Sequence, residues 1–167
     1  NTNLKKSIRI KKAEEVDERF HSRLSCKKKT YRYVINNSSC ESAIYRHLET
    51  YISMKLDVSK MKEAAKYFEG EHDFKAFRAS GTSSKSSVRT IYKLEILEKE
   101  NNRIYIEVTG NGFLYNMVRI ISGTLVEVGL GKIKQEEIRE IIDSKDRSRA
   151  GKTLPAHGLF LLNVEYE

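Results

Sequence analysis

The side chains best suited to chemistry in this 167-residue chain are an arginine, a pair of tyrosines and a run of lysines. Arg119 falls in a stretch whose apolar residues, Phe113, Leu114, Met117, Val118, Ile121, Leu125 and Val128, share one face at about 100° per residue. On that wheel Arg119 lies opposite the apolar centre, on the side of Asn116 and, one turn on, Gly123. A guanidinium beside a small residue can receive a carboxylate or phosphate at close range, although amphipathic helices also carry ordinary surface arginines. Tyr31 and Tyr33 flank Arg32 directly after Lys27, Lys28 and Lys29, so rings alternate with cations. That mixture suits a site that stacks a base on a ring and neutralises phosphate nearby; two core tyrosines on a strand produce the same pattern. Phe20-His21-Ser22-Arg23 reads as a hydrophobic anchor, with or without a phosphate contact.

Charge distribution is compatible with the nucleic-acid reading and, equally, with a solvated basic tail. The net charge is +8, and residues 1–32 hold 11 Lys and Arg against 4 Asp and Glu, leaving the remainder nearly neutral. A concentrated basic segment binds a polyanion through counterion release, whereas a solvated basic tail would show no such affinity. Other chemistries lack their signatures. Cys26, Cys40 and the four histidines make no metal-ligand spacing, no GxSxG elbow is present, and Gly129-Leu130-Gly131-Lys132 fails the P-loop spacing and reads as a helix stop. No apolar run approaches the ~20 residues of a membrane-spanning helix, and no signal peptide is evident, so the cytoplasm is the expected compartment.

The elements that must position these residues follow from periodicity. Residues 8–11 and, more clearly, 30–36 alternate as strands, the latter with Tyr31, Tyr33 and Ile35 on one face. Ile44, Leu48, Tyr51 and Ile52 follow a short helical spacing. Ser59 is the expected N-cap of a firmer helix through Met61, Ala64, Ala65 and Phe68, ended by Gly70. Residues 80–87 read as a mobile loop. Thr90, Tyr92, Leu94 and Ile96 alternate, residues 98–102 turn, and Ile104, Ile106 and Val108 alternate again, which predicts a β-hairpin. Gly110-Asn111-Gly112 is expected to open the long helix bearing Arg119, with another helix at Ile138, Ile141 and Ile142 and a last strand over 159–166 after Pro155. The fold class is α+β, a mainly antiparallel sheet flanked by helices.

Taken in order, Phe20-His21-Ser22-Arg23, Tyr31-Arg32-Tyr33, Gly70-Glu71-His72-Asp73-Phe74 with Phe77-Arg78, Ser87-Val88-Arg89-Thr90-Ile91, Gly110-Asn111-Gly112-Phe113-Leu114 through Met117-Val118-Arg119, and Gly158-Leu159-Phe160-Leu161 closely resemble the TruA family of tRNA pseudouridine synthases. The resemblance implies an isomerase that breaks the glycosidic bond of a flipped uridine in the tRNA anticodon stem-loop and rejoins the base through C5, as a homodimer and without cofactor or metal. It implies that Tyr31 stacks on the base and that Arg119 pairs with a nucleophilic aspartate; His21, Arg23, Lys27, Lys28, Lys29, Arg78 and Arg89 are the expected RNA contacts.

The family's aspartate belongs to an Arg-Thr-Asp motif upstream of the Phe20 block, whereas Arg89-Thr90 is followed here by Ile91. Asn1 is not an initiator methionine. The expectation is therefore a chain cut from a larger enzyme, with residues 1–19 a basic connecting segment, residues 20–167 the C-terminal synthase domain, the nucleophile elsewhere, and no activity in isolation. The alternative is a non-catalytic RNA-binding module on the same scaffold. Asp73 and Asp146 could replace the nucleophile by type alone, but neither has a base-stacking neighbour in sequence.

Overall fold

The computed structural model describes residues 1–81 and 85–166. Of the loop expected over 80–87, residues 82–84 lie outside the described residues. Among the described residues six strands form one mixed, mostly antiparallel sheet, with three α-helices packed against it. The α+β expectation stands.

β1 (Lys28–Asn36) organises the sheet. Along one side it pairs antiparallel with β5 (Arg103–Gly110). Its other side is shared: β6 (Leu159–Glu165) runs antiparallel beside Lys28 to Tyr33, and the two-residue β2 (Thr50–Tyr51) runs parallel beside Ile35 and Asn36. β4 (Val88–Lys99) pairs with β5 as the expected hairpin and carries β3 (Gly70–Asp73) at the far edge. The hairpin turn places Asn101 and Asn102 at positive φ, where asparagine is tolerated better than most residues.

Against the inner face lie α1 (Val58–Ala65) and α2 (Met117–Gly129), with α3 (Glu137–Ser144) packed further along. Tyr33, Ile35, Ile104, Ile106 and Val108 of the sheet meet Met61, Ile121, Leu125 and Val128 of the helices in one core. Burying such side chains stabilises the fold by about 1.5 to 3 kcal/mol each.

Several expectations are corrected. Residues 8–11 form no strand: Ile8 and Ile10 are exposed and no neighbouring strand pairs with them. Residues 43–48 form turns rather than a helix, with Ile44 and Leu48 exposed and Tyr51 in β2. The N-cap of α1 is Asp57, not Ser59; its carboxylate accepts from the Lys60 amide at 3.2 Å. In β4 a register shift between Ile91 and Lys93 breaks the alternation, so Ile91 is buried and Tyr92 exposed. Finally, α2 starts at Met117 rather than just after Gly112, because Asn116 adopts a left-handed backbone with φ 60° that ends the preceding loop.

The segment from Ala150 to Pro155 forms a strap across α2. It reaches the helix backbone because both facing residues are glycines: a Cβ on Gly123 would lie 1.8 Å from the Lys152 carbonyl oxygen, and one on Gly151 would lie 2.6 Å from Thr124 Cα. Thr124 ties the two together, its hydroxyl accepting from the Gly151 amide at 2.9 Å and donating to the Ile120 carbonyl at 2.9 Å. The space predicted beside Arg119 is thus filled by the chain itself.

Candidate active site

Where β1 and β6 approach the start of α2, an open cleft of about 480 Å³ is lined by Arg23, Tyr31, Arg89, Phe113, Tyr115, Asn116 and Leu159, among others. Among the described residues no carboxylate lines it.

Tyr31 and Tyr33 sit two residues apart on the same face of β1, yet their environments differ. Tyr33 is fully buried, and its hydroxyl meets the Thr50 hydroxyl at 2.6 Å and donates to the Pro155 carbonyl at 2.7 Å. Burial pushes its phenol up to about 12, partly offset by the Thr50 hydrogen bond and the positive charge of Arg119. Tyr33 is therefore a core residue. Tyr31 lies nearer the strand start, half-buried, with its ring edge-on to Phe113 at 5.1 Å. Burial, and secondarily the neighbouring Cys26, raise its phenol above the ordinary value, so it stays neutral at physiological pH. Arg32, between them, points to the other face, where it binds Glu107 at 2.6 Å and stacks over Tyr105. The interleaved cation thus belongs to the outer face rather than to the cleft.

Arg119 occupies the first turn of α2, half-buried. Its Nε donates to the Leu154 carbonyl at 2.6 Å and its Nη1 to Asn116 Oδ1 at 2.8 Å. Among the described residues no carboxylate lies within ion-pairing distance and Nη2 has no hydrogen-bond partner. A partly desolvated cation held from two sides is well placed to favour an anion brought to it.

The cationic residues expected from sequence divide. Arg23 and Arg89 line the cleft with Tyr31. Phe20 is anchored edge-on to Tyr166 at 4.9 Å, and Tyr166 also donates to the Ser22 carbonyl, which holds Arg23 beside the sheet. His21 serves its own loop, Nδ1 accepting from the Arg23 and Leu24 amides. Lys29 shares the face of Tyr31 by strand alternation, whereas Lys28 lies over the Tyr92 ring and 3.9 Å from Glu165. Lys27 closes the strand, its amide donating to the Glu165 carbonyl. Arg78 does not line the cleft, but the next residue, Ala79, donates to the Tyr115 carbonyl at 3.1 Å and joins that loop to its wall.

Asp73 and Asp146 are both engaged elsewhere. Asp73 pairs with Lys145 at 3.1 Å, and hydrogen bonds from Ser87, Lys145 and the Lys75 amide hold its carboxyl below the usual range. Asp146 caps the turn at Ser148, which likewise lowers its carboxyl. Neither lines the cleft. Sequence reasoning missed Phe113 and Asn116 as cleft residues because it placed both inside the helix. The signal available was the asparagine itself, a residue type favoured at helix N-caps and able to adopt left-handed backbone.

The family model for tRNA pseudouridine synthase matches residues 64–167. The chain is 54% identical over 166 residues to tRNA pseudouridine synthase A of Ruminiclostridium cellulolyticum, covering 99% of this chain and 68% of that protein. It is likewise 54% identical over 166 residues to the protein of the same name from Acetivibrio thermocellus, with the same coverage. To that of Bacillus subtilis it is 44% identical over 167 residues, covering all of this chain and 67% of that protein. The chain therefore spans about two thirds of these relatives' length, and the ordered motifs, the sheet and the match across nearly every residue agree: it belongs to the TruA family of tRNA pseudouridine synthases.

Proposed function

We propose that this chain forms the base-stacking and cationic wall of the catalytic cleft in a tRNA pseudouridine synthase that converts uridines of the anticodon stem-loop. The observation that carries the reading is one cleft in which a half-buried neutral tyrosine and two arginines face a wall that has no carboxylate among the described residues, next to Arg119, which has no acidic partner among them. The reaction needs a nucleophile, and the family resemblance assigns it to an aspartate outside this chain. A carboxylate oxygen bonds to C1′ as the C1′–N1 bond breaks; after the base turns, the C5–C1′ bond forms as the carboxylate–C1′ bond breaks and frees the aspartate, C5 loses a proton and N1 gains one, so no oxidant or reductant is consumed. Tyr31 stacks on the flipped base, and Arg119 keeps the incoming carboxylate ionised.

Residues 1–19 serve as the basic segment leading to the other half of the cleft. Their exposure and the Phe20 to Tyr166 anchor that follows support that boundary. Arg23, Arg89, Arg78, His21 and the lysine triplet form the RNA surface, and two copies of the whole enzyme work as a homodimer in the cytoplasm, where tRNA is its partner.

Release of tritium from tRNA labelled at uridine C5 tests the reading in the full-length enzyme. Tyr31→Ala is expected to lower turnover about 10- to 100-fold through lost stacking, while Tyr31→Phe retains most of it. Unchanged release by Tyr31→Ala would remove the tyrosine from the site. Release by the isolated chain would show that no external aspartate is needed, and salt-sensitive RNA binding by an assembled enzyme that releases nothing would favour the non-catalytic module.

Replacing Lys27, Lys28 and Lys29 together is expected to weaken tRNA binding and reduce the slope of log affinity against log salt by about 1 to 2. An unchanged slope, measured by filter binding across a salt series, would take the triplet out of the interface.

A further inference from the structure

We infer that Asn116 is a positioning residue that sets the plane of the Arg119 guanidinium, acting with the Leu154 carbonyl. The inference rests on the role of Arg119 proposed above. Asn116 meets two demands at once. Its backbone is left-handed, φ 60° and ψ 9°, a conformation asparagine tolerates better than most side chains, and its carbonyl accepts the first helical hydrogen bond from Ile120 at 3.0 Å. From that position its Oδ1 receives Arg119 Nη1 at 2.8 Å. On the other side the strap grips the same residue twice: Leu154 accepts from Nε at 2.6 Å and its amide donates to the Arg119 carbonyl at 3.3 Å.

Two acceptors on different guanidinium nitrogens define the orientation of a planar group, which a single one cannot do. Both are neutral oxygens, so they orient the cation without cancelling its charge. Nη2 has no partner among the described residues, and Asn116 itself lines the cleft. The arrangement leaves the positive charge available to an acid arriving from outside while denying the side chain its free rotation.

A double-mutant cycle in the full-length enzyme tests this, with kcat, KM and tRNA affinity measured for Asn116→Gly, Arg119→Ala and the pair. Glycine keeps the left-handed backbone and removes only the acceptor. Asn116→Gly is expected to lower kcat about tenfold with KM within about twofold, and to have less than about a twofold further effect once Arg119 is alanine. Full activity of Asn116→Gly, or a loss that multiplies with that of Arg119→Ala, would overturn the positioning role. A fully active Arg119→Ala would instead overturn the reading of Arg119 itself. Asn116→Asp, which also tolerates the backbone, introduces a carboxylate that competes for the guanidinium; a kcat loss at least as large as with glycine is expected, and wild-type turnover would refute the inference.

Discussion

Replacing Arg119 with alanine in the full-length enzyme is expected to reduce kcat by about a thousandfold while tRNA affinity changes by no more than about threefold. The guanidinium is partly withdrawn from water, bound to two uncharged oxygens and unmatched by an acid among the described residues. A cation so placed interacts most strongly with charge near it at the reacting centre, and little of that interaction is present when the distant parts of a tRNA first dock. Arg119→Lys should recover only a small part of the loss, because an ammonium cannot reach Asn116 and Leu154 with a planar fork. Single-turnover rates and filter-binding affinities separate the two effects. An equal loss in both would reassign Arg119 to phosphate binding.

The second large effect is expected from a residue with no side chain. Gly123→Ala would set a methyl 1.8 Å from the Lys152 carbonyl oxygen and 3.0 Å from its carbon, against backbone that has no rotamer by which to retreat. The strap must lift from α2, opening the Thr124 to Gly151 hydrogen bond and moving the Leu154 carbonyl away from Arg119. A loss of about 3 kcal/mol in stability is expected, at the upper end for overpacking because rigid backbone opposes the new group. Urea unfolding monitored by circular dichroism would record it as a lower midpoint. In protein that remains folded, kcat should fall as well, since the strap supplies one of the two acceptors holding the guanidinium. A midpoint unchanged from the parent would show that the strap adjusts without cost.

Periodicity and the flanking turn residues identified β1, the β4–β5 hairpin, the helices over Met61 to Ala65 and Ile138 to Ile142, and the strand after Pro155, most directly where the buried residues repeat regularly, as Ile104, Ile106 and Val108 do in β5 and Ile138, Ile141 and Ile142 in α3. Periodicity failed where one residue breaks the repeat. The register shift after Ile91 exchanges that residue with Tyr92, and the left-handed Asn116 delays α2 to Met117. It also failed where apolar residues have no neighbour to bury them, as at Ile8, Ile10 and Ile44.

The sequence by itself determined the family through six ordered motifs and the basic bias of the first 32 residues, and it made Tyr31 and Arg119 the candidates for the site. These are local properties, readable from residue type and spacing. Only the tertiary structure decided that Tyr33 belongs to the core and Tyr31 to the cleft, that Arg32 is held by Glu107 on the outer face, and that Arg119 is fixed by Asn116 and Leu154. Strand alternation puts two tyrosines on one face but does not say where along that face the covering helix ends. Nor can a helical wheel show that a strap 35 residues further along the chain supplies the carbonyl that orients an arginine. Those outcomes depend on which segments meet across the sheet, which is set by the packing of the whole chain rather than by any one segment of it.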